Sequence, residues 1–98
     1  MNATLIFQQK DTKDGYIQEM VVWRLDKPVP GSRHLFKYRF YFGRDDGTCL
    51  VRYDNERGKG DHKHVAGAEC PYIFRTLEAA FTDFLADIKA IQNEDNTP

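Results

Sequence analysis

The sequence predicts an α+β protein: a mostly antiparallel, twisted sheet of about five strands with one C-terminal helix packed on one face, in the order β-β-β-β-β-α. Three observations carry this. Within Arg33 to Gly43, Phe36, Tyr38, Phe40 and Phe42 alternate with Leu35, Lys37, Arg39 and Tyr41, the period of a strand with an apolar and a basic face. Arg44-Asp45-Asp46-Gly47 is a hairpin turn. From Leu77 onward, Ala80, Phe81, Phe84, Leu85, Ile88 and Ile91 recur at spacings of three and one, which lays one apolar stripe along a helix.

The other elements follow in order. Ala3 to Gln9 is apolar and β-branched enough for a first strand, and Asp11 to Gly15 is a turn. Tyr16 to Leu25 is the second strand, with Ile17, Val21, Trp23 and Leu25 on one face and Met20 and Val22 on the other. Two partly apolar faces place it inside the sheet or against a partner. Pro28, Pro30 and Gly31 force a loop before the aromatic strand. Thr48 to Asp54 returns from the hairpin. A polar connection runs to His64 and continues through Val65 to Ala68. Pro71 then opens a short strand, Tyr72 to Arg75, and Thr76 is a good N-cap for the helix. Residues 93 to 98 are polar, so the single domain, 1–98, has its expected core at about 3–91 and a frayed end at 92–98.

Composition narrows the class. Hydrophobic residues at 41% and aromatics at 13% suit a folded chain. No run of about 18 apolar residues spans a membrane, and the N-terminus has no signal-peptide pattern, so the expected location is cytoplasmic. Cys49 and Cys70 stand in no metal-type spacing and are expected as free thiols unless their strands are neighbours. The net charge of −1 argues against an indiscriminate nucleic-acid binder. It hides an asymmetry: residues 33–64 carry eight Lys/Arg against five acids, whereas residues 76–98 carry one lysine against five acids. A basic centre suits an anionic ligand; ordinary solvated charge accounts for it equally.

The stretch Tyr53 to His64 is the candidate site. It holds two of the three histidines and no apolar residue after Tyr53. A polar connection of this length in a small domain calls for a use. Lys59 between Gly58 and Gly60 resembles a minimal anion-holding nest, although the spacing is not that of a phosphate loop. Asp61, His62 and His64 offer metal-ligand atoms, but His-x-His alone is a weak signal. Acid–base chemistry without metal or other cofactor fits better. His62, His64, Tyr53 and Lys59 are the candidates to move a proton, and Asp54 to orient a histidine. Arg39, Arg52, Arg57, Lys37 and Asn55 are the candidates to hold phosphate. A solvated loop with surface histidines is the plainer alternative.

The segment RYDNERGKGDHKH, preceded by PVPGSRHLFKYRFYFG and followed by PYIFRTLEAAFTDFLADI, resembles the TumE-like family, bacterial and archaeal toxins of two-gene toxin–antitoxin systems. The likeness spans roughly residues 3 to 91 and rests on Tyr53-Asp54-Asn55 and His62-Lys63-His64 in that order. It implies a growth-inhibiting toxin encoded beside a helix-turn-helix antitoxin. RNA cleavage is the mode expected by analogy with other small toxins. The alternatives are a non-enzymatic module that blocks RNA or the ribosome through the basic sheet face, and a protein whose main task is to bind its repressor partner. The half-covered sheet leaves a homodimer open.

Overall fold

The structure, a computed structural model, describes residues 2 to 95. Six strands form one antiparallel meander in sequence order: β1 (Ala3–Lys13), β2 (Tyr16–Leu25), β3 (Phe36–Arg44), β4 (Cys49–Glu56), β5 (Gly60–Val65) and β6 (Ala68–Pro71). One helix, α1 (Leu77–Asp95), lies on one face. The class is the α+β one that the alternation in β3 and the helical stripe predict, with one strand more. The helix runs past Ile91 to Asp95, and the remainder of the expected frayed end, residues 96–98, lies outside the described residues.

The difference in strand count falls in the polar stretch. It is not a loop but a hairpin: Asp54 pairs with His62, Asn55 with Asp61, and Glu56 with Gly60, with a tight turn between. Val65-Ala66-Gly67-Ala68 is a second tight hairpin, whose central residues both take positive φ, 51° at Ala66 and 85° at Gly67. Tyr72 to Arg75, expected as the last strand, is an irregular link, and Pro71 closes the ladder instead of opening it. The link turns inward, setting the Tyr72 ring against Tyr53 at a tilt of 57° with centroids 4.8 Å apart.

The helix-facing side of the sheet is the core. Met20, Val22, Tyr38, Phe40, Phe42, Val51 and Tyr53 meet Ala80, Phe84, Ile88 and Ile91 of the helix, and all are buried. Phe84 meets Phe40 and Tyr53 at 5.4 and 5.6 Å, and Phe81 meets Phe40 and Phe7 at 4.9 and 5.6 Å. Burying an aromatic such as Phe84 stabilises the layer pair by about 2–3 kcal/mol. Leu85 is half exposed, at the margin of the stripe. The Thr76 hydroxyl accepts the Ala79 N–H at 3.0 Å, the expected cap. Cys49 and Cys70 are free: β5 separates their strands, so they stand about 9.6 Å apart in the sheet direction, beyond disulfide reach.

Candidate functional site

Pairing of β4 with β5 sorts the polar stretch by parity. Tyr53, Asn55, Asp61 and Lys63 face the helix side, whereas Arg52, Asp54, Glu56, His62 and His64 face the open side. The weaker metal alternative, Asp61, His62 and His64, is therefore divided by the sheet, because neighbours in a strand point to opposite faces.

On the helix side Asp61 is an acceptor hub. It takes hydrogen bonds from the Ser32 hydroxyl at 2.6 Å and the Tyr38 hydroxyl at 2.8 Å, and contacts His34 Nε2 at 2.7 Å. His34 Nδ1 accepts the Phe36 N–H at 3.1 Å, so Nε2 carries the hydrogen that goes to Asp61. Burial, then the bond to Asp61, pushes the Tyr38 phenol far above its ordinary value. His34 also stacks on Phe74 with centroids 3.7 Å apart. Asn55, fully buried, accepts the Tyr38 N–H at 3.2 Å and donates to Ser32 Oγ at 3.2 Å and to the Phe36 carbonyl at 2.7 Å. Its amide is committed to bracing residues 32–36 against β3 and β4. Asn55 thus serves as a structural bracket, with both amide atoms engaged within the chain.

Tyr53 is likewise a core residue. Its hydroxyl donates to Asp87 of the helix, and burial followed by that bond raises the phenol well beyond the range useful for proton transfer near neutrality. Lys63 reaches the same carboxylate at 3.3 Å. The expected nest is also otherwise engaged. The Gly58 N–H donates to the Pro30 carbonyl at 2.6 Å, and the Lys59 N–H to the Glu56 carbonyl at 3.1 Å. Gly60 holds φ 77° and packs so closely on Gly31 that an added Cβ would lie 2.7 Å from the Gly31 oxygen. The glycines permit close approach of the chain's own loop, which seals the hairpin tip.

The open side holds the remaining candidates. His62 is only 3% exposed. Its Nδ1 donates to the Gly60 carbonyl at 3.0 Å, and its Nε2 lies 2.6 Å from Asp54 Oδ1. That separation is within ion-pair reach, but the atoms lie off the directions of a hydrogen bond. Four buried polar atoms lack a hydrogen-bond partner here: Arg52 Nε, Asp54 Oδ1, His62 Nε2 and His64 Nδ1. Arg52 Nε stands 3.5 Å from Asp54 Oδ2. Glu56 and Glu69 bring carboxylate oxygens to 3.8 and 3.9 Å from His62 Nε2. Lys59 is tied to Glu69, which raises the ammonium's pKa, although both groups stay in solvent.

Register places Arg39 opposite Asp54 and Tyr41 opposite Arg52, with the Arg39 guanidinium 5.0 Å from the Tyr41 ring centroid. Lys37 donates to the Asn55 carbonyl at the sheet margin. Arg57 sits apart, lining a groove of about 430 Å³ with Leu25, Pro28, Val29 and Lys37. The open face is not uniformly basic, since Arg39 and Arg52 interleave with Asp54, Glu56 and Glu69. Sequence reasoning missed His34, Ser32, Glu56, Glu69 and Asp87. A usable signal existed for two of them: Ser32 and His34 share the parity of Phe36 and Tyr38, the apolar face of β3.

Fold and cluster together define a small single-sheet protein with one face filled by a helix and the other left to histidine, arginine and carboxylate groups. The chain belongs to the toxin TumE family, whose model matches residues 3–92. Among curated proteins and solved structures, nothing gives a significant match. The family is one of toxins, and no helix among the described residues is long and apolar enough to cross a membrane.

Proposed function

We propose that this toxin acts on RNA at the open face of its sheet, cleaving phosphodiester bonds without a metal, and that a helix-turn-helix antitoxin neutralises it. One observation supports this reading above the others: Arg52 Nε, Asp54 Oδ1, His62 Nε2 and His64 Nδ1 are buried without a hydrogen bond and gathered on one face. Native proteins rarely leave such atoms unpaired without a use for them.

The roles follow from position. The Gly60 carbonyl orients His62, whose Nε2 accepts the proton of a ribose 2′-hydroxyl, and the adjacent Asp54 carboxylate stabilises the imidazolium that forms. The 2′-oxygen attacks phosphorus, and the bond to the 5′-oxygen breaks. His64, next on the same face of β5, supplies the proton to that leaving oxygen. Arg52 and Arg39 stabilise the charge that develops on the phosphorane. The products are a 2′,3′-cyclic phosphate and a 5′-hydroxyl. Lys59 stands at the rim, where it steers an anion without touching the reacting atoms.

A second reading is inhibition without chemistry. It is favoured by two separate features of this face, Trp23, which is 37% exposed, and the Arg39–Tyr41 stack, each of which offers a ring to a base. Expression of His62→Ala and His64→Ala variants separates the two. Cleavage requires that both relieve growth arrest while retaining native circular dichroism. Binding alone requires that both stay toxic and that Arg39→Glu does not. The antitoxin, and a homodimer through the exposed edge of β1, are tested by co-purification and by solution mass.

A further inference from the structure

The carboxylates around His62 offer more than orientation. The Gly60 carbonyl can only accept, so His62 Nδ1 carries hydrogen and Nε2 of the neutral ring presents a lone pair. Nε2 lies 2.6 Å from Asp54 Oδ1, with Glu56 Oε1 at 3.8 Å and Glu69 Oε1 at 3.9 Å. An imidazole nitrogen among three carboxylates is stabilised by a positive charge beside it. A proton on Nε2 would supply that charge through a directional hydrogen bond, but neither Nε2 nor Oδ1 has one.

We infer that His62 Nε2, Asp54 Oδ1 and Glu56 Oε1 form a binding site for a divalent transition-metal ion such as zinc. The three donor atoms lie within 4.8 Å of one another. Donors around a tetrahedral zinc with bonds of about 2.0–2.1 Å sit about 3.3 Å apart. The observed separations of 2.6 and 3.8 Å fall on either side of that value, so ligation needs Asp54 to move out slightly and the exposed Glu56 to move in. The supporting contacts are those of a metal site. A backbone carbonyl fixes the far nitrogen of the imidazole, and Arg52 stands by the other Asp54 oxygen at 3.5 Å. Imidazole plus carboxylate favours zinc, cobalt or manganese over magnesium. Glu69 can complete the shell if it leaves Lys59; otherwise water does. The inference does not rest on RNA cleavage: the proposed reaction uses the same Nε2 without an ion, so proton and ion occupy it in turn.

The test is titration of the purified chain with Co²⁺ and Zn²⁺, read by calorimetry and by the cobalt absorption spectrum. The expected result is one ion per chain, no thiolate-to-cobalt charge transfer, and affinity reduced at least tenfold in Glu56→Gln. Glu56 is largely exposed, so that variant keeps the fold. The Asp54→Asn variant, shown by circular dichroism to be folded, is titrated as a second comparison, with the same loss of affinity expected. No binding, binding through thiolate, or binding unchanged in both variants would overturn the site. Ion binding by a chain that cuts no RNA would leave the metal site standing and refute only the cleavage reading.

Discussion

Replacing Asn55 with alanine separates a bracket from a ligand. The side chain is fully buried and makes three hydrogen bonds, to the Tyr38 N–H, Ser32 Oγ and the Phe36 carbonyl. At about 1 kcal/mol each, the loss is about 3 kcal/mol, and stranding a buried N–H and a buried carbonyl raises it further. For a domain of this size each kcal/mol moves the melting temperature by about 4–8 °C, so Asn55→Ala is expected to melt about 12–24 °C below the parent. Thermal melts followed by far-UV circular dichroism, with urea titrations to give ΔG, measure this directly. If Asn55→Ala melts within about 4 °C of the parent yet loses toxicity, Asn55 works on a ligand and the bracket argument fails.

Gly60→Ala forces a left-handed backbone on alanine and drives its Cβ to 2.7 Å from the Gly31 oxygen; the expected cost is about 2 kcal/mol or more in urea unfolding. Tyr53→Phe removes the bond to Asp87 but not the ring. It is expected to lose about 1 kcal/mol and remain toxic, and loss of toxicity in a folded variant would return Tyr53 to the site. The Tyr72 hydroxyl lowers the pKa of Asp83, and Arg75 adds to this at 2.7 Å. A depressed carboxylate stabilises the fold above its unfolded value, about pH 4, and the benefit is lost as pH falls through the lower folded value. Asp83→Asn should therefore differ from the parent at pH 7 and converge with it in strong acid, as melts across pH would show.

The legible parts of the sequence were those in which one physical signal dominated. Phe36, Tyr38, Phe40 and Phe42 announced β3 because the helix buries only their face. Thr76 and the spacing from Leu77 to Ile91 announced the helix. β5 stayed hidden because neither of its faces is mainly apolar: Asp61 and Lys63 join a polar network on one side, and His62 and His64 join the cluster on the other. A polar strand with two occupied faces reads as a loop to any argument from hydrophobic alternation. Asp54 and His62 could be paired in advance only with the register, which the hairpin turn sets and the sequence leaves open. The bracing bonds of Asn55 are hidden in the sequence for a similar reason. Its partners Ser32 and Phe36 lie some twenty residues away and come to it only after the loop folds back.

The central claim is that the open-face cluster cuts RNA with its own side chains. Its most direct test is incubation of purified chain with RNA in the presence of a metal chelator, with the new ends mapped and their chemistry determined. The claim requires new 2′,3′-cyclic phosphate ends that appear with the parent and vanish with His62→Ala. RNA left intact by excess folded protein, or cleavage unchanged in that variant, would contradict it.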